Sequence, residues 1–215
     1  MSRLPTASAP RAWIVGPPQT REVRVWGLTP GERLRRSLRS AGCAEVECIA
    51  YDADVPTPAG EALVCFRGDA IFDPRLVEAL LTTPNAVLCA SGDESPVAAH
   101  VDAAHFADAV AALRAPDGAA DLHPELRRVA PDELVPAYIA SLRKAQPPYA
   151  LTVRAEDVPN LERMLFGGAY KTVTDIVTKW AWPVPAAAVT RVLARRGVHP
   201  NTVTIASWIL ATARR

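Results

Sequence analysis

The residues of this 215-residue chain whose types and spacing could do chemistry fall into a few separate groups. His100 and His105 stand five apart; on a helix that is a turn of about 140°. They therefore do not share a face as the histidines of an H-E-x-x-H zinc site do, and both read as surface histidines. Cys43, Cys48, Cys65 and Cys89 lack C-x-x-C spacing. Three of them lie in apolar, strand-like runs, so they read as buried free thiols of a reducing compartment. Arg33, Arg35, Arg36 and Arg39 point in several directions around one helix, as a solvated face does. No nucleophile elbow, Walker loop or zinc cluster occurs. Towards the end, Lys171, Asp175 and Lys179 stand among threonines, before Trp180 and Trp182 and a basic group of Arg191, Arg195 and Arg196. By themselves, Lys171, Asp175 and Lys179 form a polar linker with solvated charges.

The elements that must position these groups read as α/β. Hydrophobic residues make up 49% of the chain and charged residues 22%, enough for a real core, and a net charge of +1 gives no global case for nucleic acid. Short apolar runs (Ala12–Val15, Val46–Tyr51, Ala62–Phe66, Ala86–Ala90 and Tyr149–Val153) read as strands. Helix-period segments lie between them at Gly31–Ser40, Asp73–Leu81 (Asp73 as N-cap, Pro74 first), Val97–Leu113, Asp132–Ala145 and Glu156–Phe166. This alternation predicts a mostly parallel sheet covered by helices on both faces. The composition shifts at Gly167-Gly168, and a further helix is expected from Pro185 to Arg196, ended by Gly197. No stretch reaches the roughly 18–20 apolar residues that span a bilayer. The run Val203–Ala213 is about half that length.

The order of features over residues 11–166 resembles the nucleotidyltransferase fold of sugar-phosphate cytidylyl- and nucleotidylyl-transferases. "GLTPGERLRRSLRSAG" is similar to their "G-x-P-L-x-x-R" segment and the helix after it. "VCFRGDAIFDPRLVEALL" resembles their central strand, and "LTVRAEDVPNLERML" their late signature. The resemblance implies a Rossmann-like α/β domain in which Asp69 helps to hold a catalytic metal, with Mg2+ as the family's ion. Two departures weaken that site. The phosphate loop carries Pro17-Pro18, which removes two backbone donors, and Leu151 and Val153 stand where a second acidic ligand belongs. A degenerate domain, more scaffold than enzyme, is expected.

Residues 165–210 resemble the start of a CDP-alcohol phosphatidyltransferase membrane domain, through "YKTVTDIVTKW", "WPVPAAAVTRVLARRGVHPN" and "VTIASWIL". By that resemblance, Lys171, Asp175 and Lys179 contact an anionic headgroup or phosphate. Trp180, Trp182, Arg191, Arg195 and Arg196 lie at the membrane surface. The expected organisation is a disordered 1–10, an α/β domain at 11–166, a linker and juxtamembrane amphipathic helix at 167–202, and the start of a first transmembrane helix, cut short, at 203–215. The family's D-x-x-D-G-x-x-A-R … G-x-x-x-D-x-x-x-D motif is absent, so the chain is expected to be part of a longer protein or a free-standing relative, not a transferase by itself. The resemblance implies phospholipid biosynthesis at the cytoplasmic face of the inner membrane, with anionic lipid and a CDP-linked or nucleotide ligand as partners and a homodimer left open. Two alternatives stand beside it: a soluble, metal-dependent nucleotidyltransferase acting on a phosphorylated alcohol, and a non-catalytic membrane-recruitment module.

Overall fold

The computed structural model describes residues 11–16, 23–43, 45–55, 63–115, 122–140, 143–169 and 183–212. The expectations for residues 1–10, Pro17-Pro18, Lys171, Asp175, Lys179, Trp180 and Trp182 lie outside them. The chain divides into two compact units: residues up to Val23 with Thr29–Ala155, and Arg24–Leu28 with Glu156–Arg215.

In the first unit, six strands form one sheet: β1 (Arg11–Val15), β2 (Val46–Ile49), β3 (Leu63–Arg67), β5 (Ala86–Cys89), β6 (Pro96–Val101) and β7 (Arg127–Val129). Their order is β2-β1-β3-β6-β5-β7. β1 pairs in parallel with β2 and β3, and β5 with β7; β6 runs antiparallel to both its neighbours. The sheet is thus mostly parallel, and side chains alternate between two cores. On one face Ile14, Val64, Phe66 and Leu88 pack with α1 (Pro30–Ser40) and α2 (Pro74–Leu81) through Leu34, Leu38, Leu76 and Leu80. On the other, Trp13, Cys65, Val87 and Ala99 pack against α3 (Phe106–Arg114) through Phe106, Val110 and Leu113. Burial on both faces is why β3 and β5 read as unbroken apolar runs.

Local chemistry starts the helices where the sequence suggests. Thr29 and Glu32 form a reciprocal capping box ahead of Pro30 in α1, and Asp73 accepts from the Arg75 N–H at the start of α2. Arg75 also donates to both Asp73 carboxylate oxygens (3.1 and 2.7 Å), and to the carbonyls of Pro136 and Gln146, which pins the loops above it.

Two expected helices are corrected. Val97–Leu113 is not one helix: Pro96–Val101 is the fully buried β6, and α3 begins at Phe106. Alanine is a good helix former. Here Ala98 and Ala99 lie in a central strand covered on both sides, where packing decides. Asp132–Ala145 is a single turn, α4 (Pro131–Leu134), followed by a small hairpin of β8 (Tyr138–Ile139) and β9 (Lys144–Ala145). Pro136 lacks an N–H and drives Val135 to an extended conformation (φ −137°, ψ 128°), which ends the helix. β4 (Ala70–Phe72) and β10 (Ala150–Thr152) pair antiparallel beside the main sheet.

The second unit contains α5 (Val158–Ala169), α6 (Pro183–Arg195) and α7 (Pro200–Thr212), with a tight turn at Val25–Leu28. α5 continues through Gly167-Gly168 to Ala169. Gly197 ends α6 at φ +66°, with the Val198 N–H bonded back to the Leu193 carbonyl, a closure that suits glycine. The turn is locked by Glu162, which is 5% exposed. Its carboxylate accepts from the Trp26 N–H (3.1 Å) and from Arg191 Nε (2.9 Å). The Arg191 guanidinium lies 5.2 Å from the centre of the Trp26 ring, which stacks on Phe166. Gly27 is required there: at φ +77° a Cβ would meet the Ala194 carbonyl oxygen at 2.5 Å.

Candidate functional site

In open α/β sheets, ligands bind outside the carboxyl ends of the strands where the winding reverses. Here the chain passes from β1 by α1 to β2 on one side of β1, then returns to β3 on its other side, so the reversal lies between β1 and β3. Gly16 and Gly68 stand at those strand ends. The Gly68 N–H donates to the Val15 carbonyl (2.7 Å) and the Gly16 N–H to the Ile49 carbonyl (2.8 Å). A Cβ on Gly68 would come to 3.1 Å from both Ile14 Cγ2 and the Val15 oxygen, a tight approach that a glycine avoids.

Asp69 follows Gly68 in the turn between β3 and β4. Both its carboxylate oxygens are taken by Arg67, Oδ1 by Nε at 3.0 Å and Oδ2 by NH2 at 2.7 Å. This fork also raises the Arg67 pKa, mainly through the Asp69 hydrogen bonds. The residues facing Asp69 come from β10: Thr152 pairs with Ala70, and the Val153 N–H donates to the Asp69 carbonyl (2.8 Å). The late segment therefore does arrive beside Asp69, but it brings Leu151 and Val153 and no carboxylate. The nearby Asp93 is held in its own turn, accepting from the N–H and hydroxyl of Ser95 (both 2.9 Å), bonds that lower its pKa. Mg2+ needs several oxygen ligands in near-octahedral array. A single carboxylate already bound by an arginine does not fit that ion.

Beyond β5 an open groove of about 460 Å³ is lined by Ser91, Gly92, Asp93, Glu94, Asp132 and Pro148, among others. Its ionisable lining is acidic, which repels a phosphate rather than binding it.

The other expected groups are dispersed. Arg35, Arg36 and Arg39 are exposed, and Arg35 reaches the sulfur of Cys48. Arg33 is half-buried beside Tyr149, and burial lowers its pKa. Cys43, Cys65 and Cys89 are buried free thiols while Cys48 is exposed, and burial pushes the Cys65 thiol up to about 12. His100 is not a surface residue: it is 6% exposed in β6, its Nδ1 2.7 Å from the Leu80 carbonyl. Of the basic residues in and just after α6, Arg191 is engaged by Glu162, whereas Arg195 and Arg196 are exposed.

The sequence reading missed one cluster. His105, His123 and Glu125 offer ligand atoms all within 4.8 Å of one another, the only such group among the described residues. The local pairs D-x-x-H (Asp102, His105) and H-x-E (His123, Glu125) were its only trace in the sequence. No family model matches the chain, and a search of curated proteins finds none similar to it.

Proposed function

We propose that this chain is the nucleotidyltransferase-like part of a CDP-alcohol phosphatidyltransferase family protein, joined to the segment that meets the membrane. The parent would move a phospho-group from a CDP-linked donor to an alcohol hydroxyl. In this part the α/β unit acts as a scaffold and not as a nucleotidyl-transfer catalyst.

One observation carries the membrane reading. α7 leaves Val203 (38%), Ile205 (59%), Trp208 (69%) and Ile209 (53%) exposed, a run that is costly in water and suited to lipid. No helix of the described residues is long and apolar enough to cross a membrane. In this proposal α7 is the start of the family's first transmembrane helix. Val189 and Val192 are also exposed on α6, next to the basic Arg195 and Arg196. For the front unit, support comes from the winding reversal beside Gly16 and Gly68. The Arg67–Asp69 fork and the apolar β10 favour a scaffold.

The test is co-sedimentation of the full chain with vesicles of neutral lipid or of neutral plus anionic lipid, at low and high salt. Two exposed arginines at about 1 kcal/mol each give about 30-fold preference for the anionic vesicles at low ionic strength. That preference fades as the Debye length falls from about 10 Å to about 3 Å. Arg195→Ala/Arg196→Ala removes the salt-sensitive part, and Ile205→Asn/Ile209→Asn removes the remainder. Equal binding by all three proteins, or none by any, rejects the membrane reading.

A further inference from the structure

We propose that His105, His123 and Glu125 form a binding site for a borderline divalent cation of the zinc type, independent of the strand-end site around Asp69. The site is built at two places that the fold fixes. His105 sits where β6 gives way to α3, directly before Phe106, which is buried in the core below α3. His123 and Glu125 lie in a turn closed by the Leu126 N–H on the His123 carbonyl (2.9 Å), and Leu126 packs into the same core. Buried side chains thus hold both backbones, while His123 and Glu125 are exposed and His105 is partly covered between them and the core.

The donor geometry suits a metal. The His105 and His123 ring centres are 4.5 Å apart, and His105 Nε2 lies 3.8 Å from Glu125 Oε2. Ligands on a tetrahedral zinc with bonds of 2.0–2.1 Å are separated by about 3.3 Å. Small side-chain rotations therefore close the shell.

The tautomer of His105 is also set. Asp102 Oδ1 accepts from the His105 N–H (3.0 Å) and from Nδ1 (2.7 Å). A carboxylate can only accept, so Nδ1 carries a proton, and Nε2 is the ring atom turned towards Glu125. A carboxylate behind a ligating imidazole is the usual support of a zinc histidine. His123 has a lone pair on one ring nitrogen in either neutral tautomer, and its Nδ1 accepts a long hydrogen bond from the Glu125 N–H (3.4 Å). Two imidazoles and one carboxylate leave the fourth position to water. They select zinc, cobalt, nickel or copper over magnesium and calcium, which want oxygen ligands.

The experiment uses the full chain without a histidine tag, stripped with chelator and titrated with Zn2+ against a chromogenic competitor, and with Co2+ followed by its visible absorption. One equivalent is expected to bind, with excess Mg2+ unable to displace it. Asp102→Asn should weaken binding by about 10- to 100-fold. His123→Ala and Glu125→Gln, both at exposed positions and checked by circular dichroism, should weaken it further. Cys48→Ser, which removes the exposed thiol, should change nothing. The proposal fails if wild type binds no more tightly than His123→Ala, or if the cobalt signal survives His123→Ala and disappears in Cys48→Ser.

Discussion

Replacing Glu162 by alanine is expected to loosen the second unit while leaving its chain path intact. Glu162 is 5% exposed, and its carboxylate makes two charge-assisted bonds, one to the Trp26 N–H and one to Arg191. Hydrogen bonds to charged groups are worth about 1.5–3 kcal/mol each. The Arg191 side chain is 38% exposed, so solvent screens it and the low end of that range applies to its bond. Two bonds at the low end give about 3 kcal/mol, or about 150-fold in a local opening equilibrium. Glu162→Gln keeps an oxygen acceptor for one of the two donors and should lose about half as much. Native-state hydrogen exchange resolves the effect amide by amide and does not require both units to unfold together. Amides of α5 and α6 should exchange about 150-fold faster in Glu162→Ala, and Arg191→Met combined with Glu162→Ala should add less than the sum of the two. Protection in α5 within about threefold of wild type, about 0.65 kcal/mol, would show that this carboxylate does not hold the turn.

Gly27→Ala forces a Cβ to 2.5 Å from the Ala194 oxygen at φ +77°, whereas Gly42→Ala, at φ +94°, meets nothing within 4 Å. Denaturant melts should show a loss of about 1 kcal/mol for Gly42→Ala and about 2 kcal/mol or more for Gly27→Ala; equal losses would remove the steric argument. With CTP, Mg2+ and a panel of phosphorylated alcohols, the chain should release no pyrophosphate above background; turnover abolished by Asp69→Asn would restore a catalytic metal site there. Burial holds the Cys65 thiol protonated up to about pH 12 in the folded chain, whereas the unfolded thiol ionises near 9. The unfolded state therefore binds fewer protons above pH 9, and stability should fall there by about 1.4 kcal/mol per pH unit from this group alone. Urea midpoints measured at several pH values should show a shallower fall in Cys65→Ala, and an unchanged slope would refute the assignment.

Much of the scaffold was legible because its signals are local. Apolar runs marked five of the ten strands among the described residues, the Leu34/Leu38 spacing marked α1, the Asp73-Pro74 pattern started α2, and Gly197 ended α6. What failed was decided by neighbours far away in sequence. Ala98 and Ala99 favour a helix by propensity, yet they lie between β3 and β5, where only a strand completes the backbone hydrogen bonds of its neighbours. That one misreading also hid the histidines. Placed on a single helix, His100 and His105 looked like two unrelated surface groups. The end of β6 instead buries His100 against Leu80, and the turn after it sets His105 beside His123, eighteen residues on. The presence of Asp69 after an apolar strand is a fact of the sequence. That Arg67 occupies both its oxygens, and that β10 brings Val153 and no acid to its side, is a matter of tertiary structure. Sequence fixes residue types and short-range periodicity, whereas a ligand set depends on distances across the sheet that only the packed chain defines.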